Sequence, residues 1–151
     1  MATVFAKLNL KDQTEIAVLN APPSFELAAL RNVVIHRKLE DLKKLNFSLT
    51  FVTKQEELDT LAKSVARKSE GDAIVWFAYP KGTSKKYKSE LNRDAGCWQA
   101  LGKAGFEPVR QVAIDEDWSA VRFRRVEFIK SMTRESKHAM TAQGKAKTTK
   151  R

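Results

Sequence analysis

The feature of the sequence that most constrains the fold is one uninterrupted apolar run, Ala73-Ile-Val-Trp-Phe-Ala-Tyr79. This run is far shorter than the roughly 18 to 20 apolar residues that span a bilayer. Because it lacks the alternation of a half-exposed strand, it is typical of a central strand covered on both faces. Pro80 follows and is expected to end the strand. The run therefore predicts a sheet with both faces buried.

Strands and helices alternate around this run. Apolar runs at residues 15–19, 33–35 and 47–52 predict three more strands, and residues 25–31 and 39–44 predict short helical segments. With 151 residues, 42% of them hydrophobic, the chain is long enough for one compact domain and short for two. We therefore predict an α/β fold, a three-layer Rossmann-like architecture with a mostly parallel sheet.

The clearest helix pattern follows the third strand. Thr53 and Glu56 have the spacing of a capping box, and Gly71 is predicted to stop the helix after about Lys68. The apolar positions recur at helical spacing and define one buried face. These positions are Leu58, Leu61, Ala62 and Val65.

A second helix is predicted between Asn92, which is placed to cap it, and Gly105, which closes it. We expect its Trp98, like Trp76, to belong to the core rather than to a stacking platform. Cys97 is expected to be a small buried residue. One cysteine excludes an internal disulfide, and with only two histidines in the chain no metal site is expected.

The chain from residue 107 predicts an antiparallel hairpin. Residues 107–114 and 118–127 are rich in β-forming residues and are separated by the acidic turn 115–117. Paired carboxylates also suit acid–base or metal chemistry, but acidic residues are common in hairpin turns. The turn interpretation is preferred, with Asp117 and Ser119 as candidate exceptions.

Positive charge is concentrated at the C-terminal end of the chain. Of a net charge of +10, seven basic residues and one acidic residue lie between Lys130 and Arg151. Residues 1–135 are expected to form the domain and residues 136–151 a basic, disordered tail. The arginines of the last strand are interpreted first as the exposed face of an edge strand. The candidate nucleic-acid contacts are Arg122, Arg124, Lys145, Lys147, Lys150 and Arg151.

The loops that follow parallel strands meet at one edge of such a sheet, where ligands bind. The loop Asn20-Ala-Pro-Pro-Ser24 has no glycine and two prolines, which withhold backbone donors from a pyrophosphate. The loop 81–88 has one glycine, the hydroxyls of Thr83 and Ser84, and four lysines, so it is either an anion site or a solvated charged loop. The candidate ligand-binding residues are Asn20, Lys81, Ser84, Asn92, Asp94, Asp117 and Ser119.

Five segments carry a resemblance: Leu19–Pro22, Phe51–Leu58, Ile74–Ser84, Leu91–Asp94 and Val112–Phe123. Together they resemble a family of small bacterial proteins of unknown function, itself similar to a shortened, degenerate class I methyltransferase core. The resemblance covers about residues 8 to 127 and implies a methyltransferase-like fold with no assigned activity. The sequence departs from methyltransferases at the glycine-free first loop and at His36-Arg37, which stand where an acidic residue is expected.

These observations favour a non-catalytic α/β binding module of the cytoplasm, without a cofactor, that binds a small anionic ligand or a protein partner. The alternative is a nucleic-acid-associated protein that uses its basic tail. An active methyltransferase or hydrolase is the third hypothesis and requires an unusual mode of ligand binding. No membrane association is expected. The sequence does not predict whether the chain is a monomer or an oligomer.

Overall fold

The computed structural model of the chain describes residues 7, 8, 10, 13–22, 33–89, 91 and 95–129. Its six strands are β1 (Glu15–Leu19), β2 (Val34–His36), β3 (Leu45–Phe51), β4 (Ser69–Pro80), β5 (Phe106–Ala113) and β6 (Trp118–Arg125). They form one sheet in the order β2-β1-β3-β4-β6-β5. The first four are parallel, and β6 is antiparallel to both β4 and β5. The predicted mostly parallel α/β sheet with a C-terminal antiparallel hairpin is confirmed.

Strand β4 lies inside the sheet and is covered on both faces, as its apolar run predicts. Alternate side chains enter two separate core clusters, one on each face. Phe77 and Trp98 belong to one cluster, and Trp76 belongs to the other. The Trp76 indole is fully buried, and its Nε1 donates a 2.8 Å hydrogen bond to the carbonyl oxygen of Leu8. The predicted core roles of the tryptophans are therefore confirmed.

Helix α1 (Gln55–Lys68) packs on the face of the sheet that contains Phe77. Leu58, Ala62 and Val65 are buried as predicted, whereas Leu61 is only partly buried. Together they anchor the helix to the sheet.

The predicted capping box at the start of α1 is wrong. The residue before the helix is Lys54, which has no side-chain capping bond. Glu57, not Glu56, accepts a 2.9 Å hydrogen bond from the backbone N–H of Thr53. Because the helix begins one residue later than the motif predicts, the carboxylate that reaches back also lies one residue later.

The helix ends at Lys68, as predicted, but the prediction that Gly71 stops it is wrong. The backbone is already extended at Ser69, and Gly71 lies inside β4 with φ +55°. Side chains satisfy the last turn of α1 instead: the Ser69 hydroxyl and the Arg125 guanidinium both donate to the carbonyl oxygen of Ala66.

The second predicted helix is shorter than expected. A 3₁₀ turn (Ala95–Trp98) leads into helix α2 (Gln99–Lys103), and Gly105 closes it with φ +91°, as predicted. The role of Asn92 as a cap lies outside the described residues. Cys97 is partly buried.

Two further 3₁₀ turns lie at Leu39–Asp41, within the predicted helical segment, and at Val126–Phe128, where β6 was expected to continue. The short helix at 25–31 and the tail 136–151 lie outside the described residues. None of the described helices is long and apolar enough to cross a membrane.

Candidate functional site

One edge of the sheet collects the ends of several strands. Strands β1, β3 and β4 end there and β6 begins there, because β6 runs antiparallel to β4. Asn20, Thr53, Lys81 and Asp117 flank these strand ends. Asn20 is exposed and has a left-handed backbone with φ 59°, a conformation that asparagine tolerates better than most residues. We call this the carboxyl edge.

Asp117 fixes the lysine-rich segment 81–88, which we call the lysine loop, to the hairpin turn. The backbone N–H of Lys81 donates to the Asp117 carbonyl oxygen at 2.8 Å. The Ser84 hydroxyl donates to Asp117 Oδ1 at 2.9 Å and accepts from the backbone N–H of Tyr87 at 3.1 Å. The structure therefore brings together three predicted site residues, Lys81, Ser84 and Asp117.

An aromatic cluster packs beneath the lysine loop. The Trp118 ring lies 5.0 Å from the ring of Tyr87 and 5.0 Å from that of Phe51, measured between centroids. Trp118 is only 3% exposed, and its Nε1 is a buried donor without a hydrogen-bond partner. Sequence reasoning missed this cluster, for which the only signal was one tyrosine in an otherwise polar loop.

The acidic turn between β5 and β6 is held by local hydrogen bonds, which confirms its interpretation as a hairpin turn. Asp115 Oδ1 accepts from the backbone N–H groups of Asp117 and Trp118, at 2.8 Å and 2.9 Å. The carboxylate of Asp117 accepts the hydrogen bond from the Ser84 hydroxyl. Within the described residues, none of these carboxylates forms an ion pair with a lysine of the lysine loop.

The lysine loop therefore presents ammonium groups that pair with no carboxylate in the part of the chain that the structure describes. Lys85, Lys86 and Lys88 are exposed, and Lys81 is partly exposed. Gly82 and Thr83 form the exposed turn between them. Four lysines and three neighbouring acidic residues leave a small positive excess at this edge, so electrostatic attraction here depends strongly on salt.

Of the remaining predicted ligand residues that the structure describes, Ser119 does not join this cluster. Ser119 pairs with Tyr79 of β4 and with Ala113 of β5, and its side chain lies on the opposite face of the sheet from that of Trp118. Asn92 and Asp94 lie outside the described residues.

The arginines of β6 do not lie on an edge strand, so that expectation is wrong. Strand β6 lies between β4 and β5, and β5 forms the edge. Arg124 makes two hydrogen bonds to the Asp72 carboxylate, 2.7 Å from Nε and 2.6 Å from Nη2, and these bonds raise the pKa of Arg124. Arg122 pairs with Trp76 and Arg110 across the sheet; burial, and then the charge of Arg124, lower its pKa.

The remaining nucleic-acid candidates, Lys145, Lys147, Lys150 and Arg151, lie outside the described residues. His36, which had no evident partner in the sequence, lies 3.4 Å from Glu15 Oε1 through its Nε2. No group of three or more metal-ligating side chains occurs in the part of the chain that the structure describes.

No protein-family model matches the chain, and no curated protein sequence matches it. Among solved structures, it is similar to the fibrillarin pre-rRNA processing protein of Methanococcus jannaschii, with a TM-score of 0.52 and 13% identity over 83% of this chain and 69% of that one. It is also similar to magnesium protoporphyrin IX methyltransferase (ChlM) from Synechocystis PCC 6803 with bound SAM, at a TM-score of 0.46 and 15% identity. That match covers 66% of this chain and 49% of that one. These likenesses concern the fold.

A methyltransferase-like fold implies S-adenosylmethionine, and the described residues do not fit that group. A nucleoside cofactor would need backbone donors after β1 and an acceptor for its ribose hydroxyls after β2. The chain places Asn20-Ala21-Pro22 at the first position and His36, Arg37 and Lys38 at the second. Pro22 has no N–H, and a basic segment cannot replace a carboxylate acceptor. The chain thus has a methyltransferase-like fold. The described residues after β1 and β2 do not match the donors and the carboxylate acceptor that this cofactor would need.

Proposed function

We propose that the chain is a non-catalytic binding module of the cytoplasm that holds a small phosphate-bearing ligand at the carboxyl edge. The observation that carries this proposal is the attachment of the lysine loop to Asp117. In this view the chain is a degenerate methyltransferase-like protein, as the small bacterial proteins that it resembles are expected to be. Residues 1–135 form its one domain.

The geometry of the lysine loop supports anion binding. Hydrogen bonds to Asp117 hold both Lys81 and Ser84, so the backbone of the loop is ordered before a ligand arrives. An ordered loop loses little conformational freedom on binding. The ammonium groups of Lys85, Lys86 and Lys88 lie on that backbone and form no ion pair with any described residue, and phosphate oxygens are suitable acceptors for them.

The bonding of Ser84 supports a positioning role rather than a nucleophilic one. Its oxygen already accepts the Tyr87 N–H while its proton is directed to Asp117. The described histidine, His36, is engaged with Glu15 and is not a base for this hydroxyl.

The proposal is tested by calorimetric titration with inorganic pyrophosphate at constant, low ionic strength. The variant K85A/K86A/K88A removes three ammonium groups from the lysine loop. Its matched control, K43A/K63A/K103A, removes three exposed lysines from elsewhere and gives the same net charge. We expect saturable binding by the unmodified chain, a loss of affinity of about tenfold or more in the loop variant, and a change below about twofold in the control.

Two results would count against the proposal. One is the absence of saturable pyrophosphate binding by the unmodified chain. The other is an equal loss of affinity in both triple variants, because that would show a response to net charge rather than to a site.

A further inference from the structure

Three arginines share one face of the β5–β6 hairpin. Arg110 lies directly opposite Arg122 in the antiparallel pair. Arg124, two residues beyond Arg122 on β6, projects from the same face. Like charges placed directly opposite each other destabilise a sheet. We call these three residues the arginine face.

Two carboxylates of the described residues adjoin this face, Asp72 and the buried Glu107, which lies directly opposite Arg124 in the antiparallel pair. Asp72 is bound by two nitrogens of Arg124 and is therefore already engaged. Arg110 is exposed and forms no ion pair within the described residues. The Nε of Arg122 is buried and has no hydrogen-bond partner among the described residues. Within the described residues, Arg110 and Arg122 therefore lie side by side without an ion pair, and Asp72 only partly offsets the charge of Arg122.

The charges of these arginines persist in the folded protein. Burial of Arg122 lowers its pKa, and the neighbouring Arg124 and Arg110 lower it further, while Asp72 opposes the shift. An arginine nevertheless stays protonated in proteins under ordinary conditions, because its reference pKa is so high. The repulsion between the facing Arg110 and Arg122 is thus retained in the folded protein. Locally unfavourable arrangements of this kind are found at functional sites.

We propose that Arg110 and Arg122 bind a phosphodiester group of a nucleic-acid backbone. Guanidinium groups bind phosphate oxygens through paired N–H donors, and a phosphate between them would also offset their mutual repulsion. Arg124, oriented by Asp72, lies at the margin of this site.

The charge of the sequence that follows β6 favours a long polyanion over a small phosphate. Strand β6 ends at Arg125, one residue after Arg124, and the 3₁₀ turn Val126–Phe128 follows it. From Lys130 to Arg151 there are seven basic residues and one acidic residue. A nucleic acid bound at the arginine face can therefore also contact the basic segment, and each further phosphate contact adds to affinity.

This site is separate from the one proposed for the small ligand. Arg122 pairs with Trp76 in the middle of β4, whereas the lysine loop begins after β4 ends at Pro80. The two proposals can therefore fail independently.

The test measures fluorescence anisotropy of a labelled 20-nucleotide DNA, single-stranded and duplex, in a salt series with the full-length chain. Arg110→Glu reverses one charge on the arginine face, and Arg67→Glu reverses one exposed charge on α1 as the matched control. We expect Arg110→Glu to weaken binding about tenfold and to reduce the slope of log affinity against log salt by about 1. Arg67→Glu should change affinity by less than about threefold.

Arg122→Lys keeps the charge and removes the paired donors, so it should weaken binding, with circular dichroism verifying that the variant is folded. The variant K145Q/K147Q/K150Q/R151Q separates the basic segment from the arginine face. Complete loss of binding in that variant with unchanged binding by Arg110→Glu would overturn the proposal. Equal losses for Arg110→Glu and Arg67→Glu would also overturn it, as would equally tight binding of polyglutamate or of anionic lipid vesicles.

Inorganic phosphate distinguishes the two possible sources of the phosphate group. We expect millimolar phosphate to compete no better than its ionic strength predicts, because the basic segment contributes only to a polyanion. Stoichiometric displacement of DNA by phosphate would instead identify a small-anion site and contradict a nucleic-acid ligand.

Discussion

The Ser84 hydroxyl and the Asp117 carboxylate, 33 residues apart in the sequence, are joined by a 2.9 Å hydrogen bond that attaches the lysine loop to the hairpin turn. The same aspartate accepts the backbone N–H of Lys81 through its carbonyl oxygen. The turn that leads into β6 therefore also determines the position of the loop that follows β4.

Removing the hydroxyl should loosen the lysine loop without unfolding the protein. We expect Ser84→Ala to lower the free energy of unfolding by about 1 to 3 kcal/mol, because two hydrogen bonds of a partly exposed group are lost, one to Asp117 and one from the backbone N–H of Tyr87. Pyrophosphate affinity should fall with it. Thr83→Ala, at an exposed neighbouring hydroxyl, is the control and should leave both quantities unchanged. Urea denaturation and calorimetry measure the two effects, and equal behaviour of the two variants would contradict the anchoring role.

Trp76 is expected to be among the most sensitive core positions. It is fully buried and donates to the Leu8 carbonyl oxygen, so Trp76→Ala should destabilise the fold by about 3 to 5 kcal/mol. Leu58→Ala, at a fully buried helix position, should cost about 2 to 5 kcal/mol, and the partly exposed Leu61 less than either. Chemical denaturation gives these differences. Unchanged midpoints for Trp76→Ala and Leu58→Ala would show that the core is assigned wrongly.

The Arg124–Asp72 pair links stability to the arginine face. Both side chains are about one-third exposed, so Asp72→Asn should cost only about 0.2 to 1 kcal/mol of stability. The pKa of Arg124 is raised in the folded protein, so the stability from this group is complete below the ordinary arginine pKa and is lost only as pH rises through the higher folded value. Arg124 should therefore add no pH dependence to stability near neutrality.

The same substitution should strengthen nucleic-acid binding. Asp72→Asn removes the counter-charge of Arg124, so we expect DNA affinity to rise about two- to fivefold while stability falls slightly. Asp59→Asn on α1 removes one acidic charge elsewhere and serves as the control in the same anisotropy titration. A decrease in DNA affinity for Asp72→Asn would contradict this prediction. It would mean that Asp72 contributes more by orienting Arg124 than it costs by neutralising the charge of Arg124.

S-adenosylmethionine is expected to bind no more tightly than about millimolar, which corresponds to roughly 4 kcal/mol of binding free energy. The physical reasons are the missing donor at Pro22 and the basic residues that follow β2. Calorimetric titration tests this prediction directly. Micromolar binding would remove the basis for a non-catalytic module and make an active methyltransferase the preferred hypothesis.

Much of the sheet could be predicted because its signals are local. The apolar run of β4, the helical spacing of α1 and the acidic turn before β6 each lie within a short stretch of sequence. The predictions were wrong where contacts between distant parts of the sequence determine the local structure. Glycine is a common residue at the end of a helix, which is why Gly71 is predicted to stop α1. Instead, the side chains of Ser69 and Arg125 donate hydrogen bonds to the carbonyl oxygen of Ala66 in the last turn of α1. Arg125 lies 56 residues after Ser69 in the sequence.

The candidate site could be predicted only in part, for the same reason. Lys81, Ser84 and Asp117 were each recognisable as polar residues near strand ends, but their mutual hydrogen bonds depend on β6 inserting beside β4. That insertion also places the β6 arginines inside the sheet rather than on its edge. Local sequence patterns do not predict the order of strands in a sheet. That order determines which of the predicted site residues form contacts with each other.

The most direct test of ligand binding at the carboxyl edge is a ¹⁵N–¹H NMR titration of the full-length chain with inorganic pyrophosphate. We predict saturable shifts that are largest for the backbone amides of Gly82, Thr83 and Ser84 and for the Trp118 indole N–H, which is buried without a partner directly beneath the lysine loop. Shifts that do not saturate, or that centre on Arg110 and Arg122 while the lysine loop is unaffected, would contradict this central claim.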